Sequence, residues 1–310
     1  MKQSKNGYVI INRSFWPENA LIGGALLNLA EKFAENNFQI SVITRDTFSL
    51  KEQLKLHGRG TGVNFFLVKG LATSGSSLII KILEAIYFNF NVFRFLRKTK
   101  PSNIYISTDP PVLVPFFVMI YCFVYKTKYV YHIQDIHPEA TDVVFPLNRI
   151  LFNILQQMDK ITILRAGQLI TINENMANSL RRRIGSKIKI QTLANPSLYA
   201  DNSESKYKKN PGFAFCGNLG RFQHINLMLI AIKKYYDNGG ALEFIFAGDG
   251  FHSKVVSEFS HNYPLFKFIG KVKQEDAFRI NKRFKWIFIE YDSVIRKCRM
   301  NCSFMSGEKC

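Results

Sequence analysis

The chain has 310 residues, 47% of them hydrophobic, and carries 42 Lys and Arg against 23 Asp and Glu, a formal net charge of +19. That apolar content supports real cores and excludes a disordered chain, and the length suits two domains of ordinary size. The charge favours polyanionic partners, meaning nucleic acid, anionic lipid or phosphate-bearing substrates.

Residues 1–6 are polar and the apolar run at 8–12 is short, so no signal peptide is read at the start. Residues 7–11 read as a strand. A loop over 12–22 leads into Gly23-Gly24 and a helix over 25–36, with Leu26, Leu29, Ala30, Phe33 and Ala34 at helical spacing. Strands follow at 38–44, ending on Arg45-Asp46, and at 63–68. The long helix expected over 78–96 holds more Ile, Phe and Tyr than one buried stripe can take, with Arg94, Arg97 and Lys98 at its end. Apolar and basic faces together suit the surface of an anionic bilayer, with core packing as the alternative. A strand at 104–107 ends on Thr108-Asp109-Pro110-Pro111. The apolar run 112–125 is shorter than the ~20 residues of a bilayer span and is expected as a buried helix between the sheet and its outer layer.

The next strand, 129–133, stops at Gln134-Asp135. Then come a strand at 168–172, a helix over 175–183 capped by Asn173 or Asn175, and a strand at 188–193 stopped by Asn195-Pro196. Strands separated by helical patterns of this length indicate a parallel, doubly wound sheet. Basic residues crowd two stretches: six against one acid over 69–100, and five against none over 175–200. The alternative to polyanion binding there is a pair of solvated helix faces.

Residues 198–210 are polar and charged with no apolar period, and are expected to link a domain over 1–197 to one over 211–310. The second domain opens with a strand at 213–216 and the turn Gly217-Asn218-Leu219-Gly220-Arg221. A helix over about 226–236 follows, then a strand at 242–247 ending on Gly248-Asp249-Gly250. A strand that breaks at glycines into a helix puts backbone N–H groups and a positive helix end where a phosphate can sit. Two such strand ends, one βα unit apart, form the address of a nucleotide in an open α/β sheet. The cysteines (Cys122, Cys216, Cys298, Cys302 and Cys310) show no paired C-x-x-C spacing and no histidine follows the last three, so a zinc site is not expected. The chain reads as cytosolic and reduced.

In order, Phe15-Trp16-Pro17-Glu18, Gly23-Gly24, Thr108-Asp109-Pro110-Pro111, Gln134-Asp135-Ile136-His137-Pro138-Glu139, Gly217 to Arg221, and Ala247-Gly248-Asp249-Gly250 resemble the motifs of the bacterial glycosyltransferases of family 4. The resemblance covers residues 7 to about 275. The most similar-looking members build O-antigen, capsule or colanic-acid repeat units, the N-acetylfucosamine-transferase-like group. It implies an α/β GT-B fold, two Rossmann-like domains facing across a cleft, here with the second incomplete. It also implies transfer of a sugar, with retention, from a nucleotide diphosphate sugar to a lipid-linked or glycan acceptor, with no metal or other cofactor.

By the same resemblance Asp135 is the catalytic residue. Gly23, Gly24, Gly217, Asn218, Arg221, Gly248, Asp249 and Gly250 are expected to hold donor phosphate and nucleotide. Trp16, Asp109, His137 and Glu139 are candidates for the acceptor side, with capping and hydrogen bonding as the alternative for His137 and Glu139. Two positions depart from the family: Asn218 stands where many members carry Arg, and His224 where glycine is usual. Read from residues alone, Asp135 fits equally a helix N-cap ahead of Pro138, and Asp249 a turn former. Residues 283–310 hold three of the five cysteines and no donor-sugar motif, so a truncated or frame-shifted C-terminus is expected, with a divergent one as the alternative. Competing readings are a GT-B sugar-nucleotide epimerase and a non-catalytic basic protein that binds membrane or nucleic acid. Nucleic acid is not expected, for want of an RNP-type strand, zinc spacing or a recognition helix. The expected location is the cytoplasm, peripheral on the inner face of the membrane.

Overall fold

Val9, Ile10 and Ile11 are buried in succession rather than on alternate residues, the pattern of a strand covered on both faces. In the computed structural model that strand, β1 (Gly7–Ile11), lies inside a parallel seven-stranded sheet. The structure describes residues 7–19, 21–47, 49–71, 78–144, 146–185, 188–195, 209–220 and 223–287. These fall into two compact units. Of the expected linker, 198–208 lies outside the described residues.

The first unit continues with α1 (Ile22–Glu35), β2 (Gln39–Asp46), α2 (Leu50–Leu56), β3 (Asn64–Lys69), α3 (Leu78–Thr99), β4 (Asn103–Ser107) and α4 (Leu113–Tyr125). It ends with β5 (Lys128–Ile133), α5 (Glu139–Val144), α6 (Arg149–Arg165), β6 (Gln168–Thr171), α7 (Glu174–Ile184) and β7 (Ile190–Thr192). Strand order is β3-β2-β1-β4-β5-β6-β7. Ile10, Ile40 and Val42 pack on Leu27, Leu50 and Leu54 of α1 and α2. On the opposite face Val9, Ile11 and Ile106 meet Phe88, Val118, Ile163 and Met176 of α3, α4, α6 and α7. The sheet turns outward in both directions from the β1–β4 pair, the topological switch point where open α/β sheets bind ligands.

Three expectations need correction. Helix α1 begins at Ile22, whose N–H is taken by Asn19 Oδ1 at 3.0 Å, so Gly23 and Gly24 lie in its first turn and not in the loop. Helix α4 is not buried between two layers: Phe117, Phe123 and Val124 face outward. Asp135 is not a helix N-cap, because α5 starts four residues later at Glu139. Asn173 does cap α7, accepting from Met176 N–H at 2.9 Å.

The second unit comprises β8 (Asn210–Cys216), α8 (Ile225–Asp237), β9 (Glu243–Ala247), α9 (Ser253–Asn262), β10 (Phe266–Phe268), α10 (Gln274–Arg283) and β11 (Phe284–Ile287). Its parallel sheet, ordered β10-β9-β8-β11, has four strands among the described residues. The stretch without a recognisable motif therefore begins with a strand. Trp286 of β11 stacks on Phe213 of β8 with ring centroids 5.1 Å apart. Residues 288–310, and with them Cys298, Cys302 and Cys310, lie outside the described set.

Candidate active site and nucleotide-binding turns

At the carboxyl edge of the first sheet, the ends of β1, β4 and β5 bring Arg13, Ser14, Thr108, Asp109 and Asp135 together. Asp109 accepts the Ser14 N–H on Oδ2 at 2.8 Å and pairs through Oδ1 with Arg13 Nη2 at 2.9 Å. The backbone joins the same ends, Arg13 N–H reaching Asp109 O at 2.8 Å. Thr108 Oγ1 accepts the N–H groups of Gln134 and Asp135 at 3.2 and 3.3 Å, fixing the end of β5 against β4. A carboxylate already holding a guanidinium and an amide is thus placed near a second carboxylate that makes no hydrogen bond to the described residues. Burial first, and the Asp109 charge second, hold the Asp135 carboxyl above the usual carboxylate range.

His137 lies two residues on. Its Nδ1 is 2.9 Å from Thr141 Oγ1, and burial pushes its pKa down to about 4, so the ring is neutral at neutral pH. Below it sits an ion cluster. Arg183 Nη1 donates to the His137 carbonyl at 2.8 Å and pairs with Asp159 at 3.2 Å and Glu139 at 3.5 Å. Glu139 also accepts from Gln156 at 3.0 Å, and Tyr131 Oη donates to Asp159 Oδ1 at 3.0 Å. Glu139 is thereby committed to holding the segment and does not stand free at the edge. Trp16 packs edge-on to His57 at 5.2 Å, within the α1 side of the core. A Cβ on Gly23 would lie 2.4 Å from Trp16 N, so only glycine lets α1 start against that turn.

In the second unit the two glycine turns interlock. Gly217 N–H bonds to Ala247 O at 3.0 Å, Leu219 N–H to Asp249 O at 2.9 Å, and His252 N–H to Leu219 O at 2.9 Å. Gly248 has φ 146°, and a Cβ there would sit 1.8 Å from Gly217 O. Asp249 Oδ1 accepts from Ser253 Oγ at 2.9 Å and Gly250 N–H at 2.8 Å, and these bonds, the first above all, hold its carboxyl below the usual range. That is the work of a turn former, and it places the Gly250 amide at the edge beside Asn218. His224 has φ 45°, the left-handed region that favours the glycine usual at this position in the resembled family. Arg221 lies outside the described residues.

Gly248→Ala is expected to cost on the order of 3 kcal/mol, from left-handed strain plus a backbone overlap that no side-chain rotation relieves. Urea unfolding followed by Trp286 fluorescence in a Trp16→Phe background measures it. A loss below 1 kcal/mol would mean that the two turns can separate cheaply.

Arg13 and Ser14 were missed from sequence, although both lie within three residues of the end of β1 at the switch point, and Thr108 was read only as part of a motif and not as a site residue. Arg183 was read as part of a basic stretch that either binds a polyanion or forms a solvated face; it is instead mostly covered, paired with Asp159 and Glu139, with Nε and Nη2 unpartnered among the described residues. No group of His, Cys, Asp and Glu among the described residues is arranged to hold a metal.

No protein-family profile matches the chain, and no curated protein sequence does. Solved structures do. Sucrose-phosphate synthase from Thermosynechococcus elongatus aligns with a TM-score of 0.66 at 10% identity, over 94% of this chain and 78% of that one. HepE of Anabaena, solved with UDP, aligns at 0.55 and 13% identity over 88% and 71% of the two chains. UGT89C1 of Arabidopsis thaliana, solved with UDP-L-rhamnose, aligns at 0.54 and 12% identity over 92% and 74%. At these identities the likeness is one of fold. The fold is GT-B.

Proposed function

We propose that this chain is a glycosyltransferase of the retaining type. It moves a sugar from a nucleotide diphosphate sugar to a lipid-carried glycan acceptor in cell-surface polysaccharide synthesis. The observation that carries the reading is the pair of interlocked glycine turns at the carboxyl edge of β8 and β9, in a fold shared with proteins solved with UDP and UDP-L-rhamnose. The Asn218 amide, held at the edge by the bonded Gly217 and Gly250 turns, suits a diphosphate, with Arg221 as cation. The N–H groups of Gly23 and Gly24 open α1 and present its positive end.

At the first sheet, Asp135 takes the role of accepting a proton from the acceptor hydroxyl or balancing charge on an oxocarbenium-like sugar. Both roles need its ionised form. Activity should therefore fall as pH drops through a pKa above the ordinary carboxylate range. Asp109→Asn removes the neighbouring negative charge while keeping an acceptor for Arg13, and is expected to move that acid limb to lower pH. A limb that stays in place would remove Asp135 from the mechanism. The reading as a whole is tested by calorimetric titration of UDP and GDP into the purified chain, followed by transfer assays with their sugars. Binding of neither nucleotide sinks it.

A further inference from the structure

Helix α4 has no charged residue in its thirteen, yet only one side of it is covered. A helix between sheet and solvent normally turns polar residues outward. Here the outward side carries Phe117, Val124 and Phe123, the last 68% exposed. Its neighbours repeat the anomaly. In α3, Ile86, Phe90 and Phe93 point out, Phe90 at 64% exposure. In α6 the stripe is Ile150, Ile154 and Ile161, with Ile150 at 71%. The three helices are continuous through side chains. Phe93 meets Tyr121 edge-on at 6.3 Å, Tyr121 stacks on Tyr125 at 4.5 Å, and the Arg165 guanidinium lies 4.8 Å from the Phe123 ring centre. Contiguous apolar surface of this extent marks an interaction site.

Charge says what covers it. The only acids in α3, α4 and α6 are Glu84 and Asp159, and both are turned inward, to Arg45 at 3.2 Å and to Arg183 at 3.2 Å. Exposed cations do flank the face: Arg94, Arg97 and Lys98 end α3, and Arg149 and Arg165 bracket α6. A groove of about 410 Å³ between β3 and the end of α3 is lined by Arg94 and Lys98 together with Phe66 and Phe95. Two cations and two rings in one lining suit a lipid phosphate. A second copy of the chain would bring the same cations face to face, which disfavours self-pairing.

We propose that the outer face of α3, α4 and α6 docks the first unit on an anionic bilayer, its rings entering the headgroup layer and its cations meeting lipid phosphates. The contact is with the surface, since no helix among the described residues is long and apolar enough to cross a membrane. It deepens the reading above, resting on it for the lipid-carried acceptor that such docking would serve, while the surface itself stands on geometry alone.

The test is co-sedimentation of the purified full chain with vesicles of phosphatidylcholine alone, or of phosphatidylcholine and phosphatidylglycerol in equal parts. Donor and acceptor are left out, so the result is independent of the nucleotide titration. Binding to the anionic vesicles only, weakened at high salt, is expected. Phe90→Asp with Phe123→Asp, and separately Arg97→Glu with Lys98→Glu, should each lower binding about tenfold or more. Ile230→Asp, at an exposed position of the second unit, should leave it unchanged. Because these side chains are exposed, thermal unfolding should stay within a few degrees of the parent. A chain that remains in the supernatant, or variants that bind as the parent does, overturns the proposal. So does a concentration-dependent dimer in sedimentation equilibrium that Phe123→Asp dissolves, because the face would then belong to a second copy.

Discussion

Arg183→Met should lower the unfolding free energy by roughly 3–5 kcal/mol, the cost of leaving a buried carboxylate without its cation. Arg183 Nη1 is the cation nearest Asp159, and it also holds Glu139 and the His137 carbonyl. Even with that partner, burial raises the Asp159 pKa to about 6. The sign follows from linkage. A carboxyl whose pKa is higher folded than unfolded binds its proton more tightly when folded, so its contribution is fully present at low pH and is lost as pH rises. In the parent that loss falls between about pH 4 and 6. Without Arg183 the folded pKa climbs further, so the penalty should be larger at pH 7.5 than at pH 5. Urea unfolding at both values measures it. Asp159→Asn added to Arg183→Met keeps an acceptor for Tyr131 and should recover much of the loss at pH 7.5. A penalty independent of pH, or no recovery in the double variant, would locate the effect elsewhere.

That cluster also shows where sequence reading stops. Period and strand ends made most of both sheets legible: β1, β2, β4, β5 and β9 fall within a residue or two of expectation, and β8 ends where expected but starts three residues earlier, because each is an apolar run closed by a polar or glycine residue. Helix α6 was invisible. Its buried positions include Asp159 and Thr162, while Ile150, Ile154 and Ile161 face out, so the apolar pattern runs opposite to the rule. Arg183 looked like its neighbours Arg181 and Arg182 on the chain, and only the three-dimensional approach of α6 and α5 separates it from them. Strand β11 is four residues long and finds its place by pairing with β8, a contact that local sequence does not encode. At the candidate site Asp109 and Asp135 were legible as strand-end acids. Arg13 was not, since a lone arginine after a strand has no pattern until the switch point gives it a partner.

Asp135→Asn should reduce turnover by about 10²–10⁴ while changing nucleotide affinity little, the range expected when a positioned acid–base group is lost. Two observations make this substitution informative. The Asp135 side chain makes no hydrogen bond to the described residues, so an amide of the same shape breaks no contact there, and its backbone N–H remains with Thr108 at 3.3 Å. Moreover, burial and the Asp109 charge both disfavour the ionised form in the folded chain. A neutral amide removes that cost, so at neutral pH the variant should be as stable as the parent or more so. The gain should fade toward low pH, where the parent carboxyl is protonated. Lost activity with gained stability is the mark of a group kept for chemistry and not for the fold. The measurements are transfer rate with saturating donor, donor affinity by calorimetry, and thermal unfolding at pH 7.5 and 5. Turnover within about threefold of the parent, a barrier change below 1 kcal/mol, would show that Asp135 does no chemical work. The convergence of β1, β4 and β5 would then serve only to hold the sheet edge together.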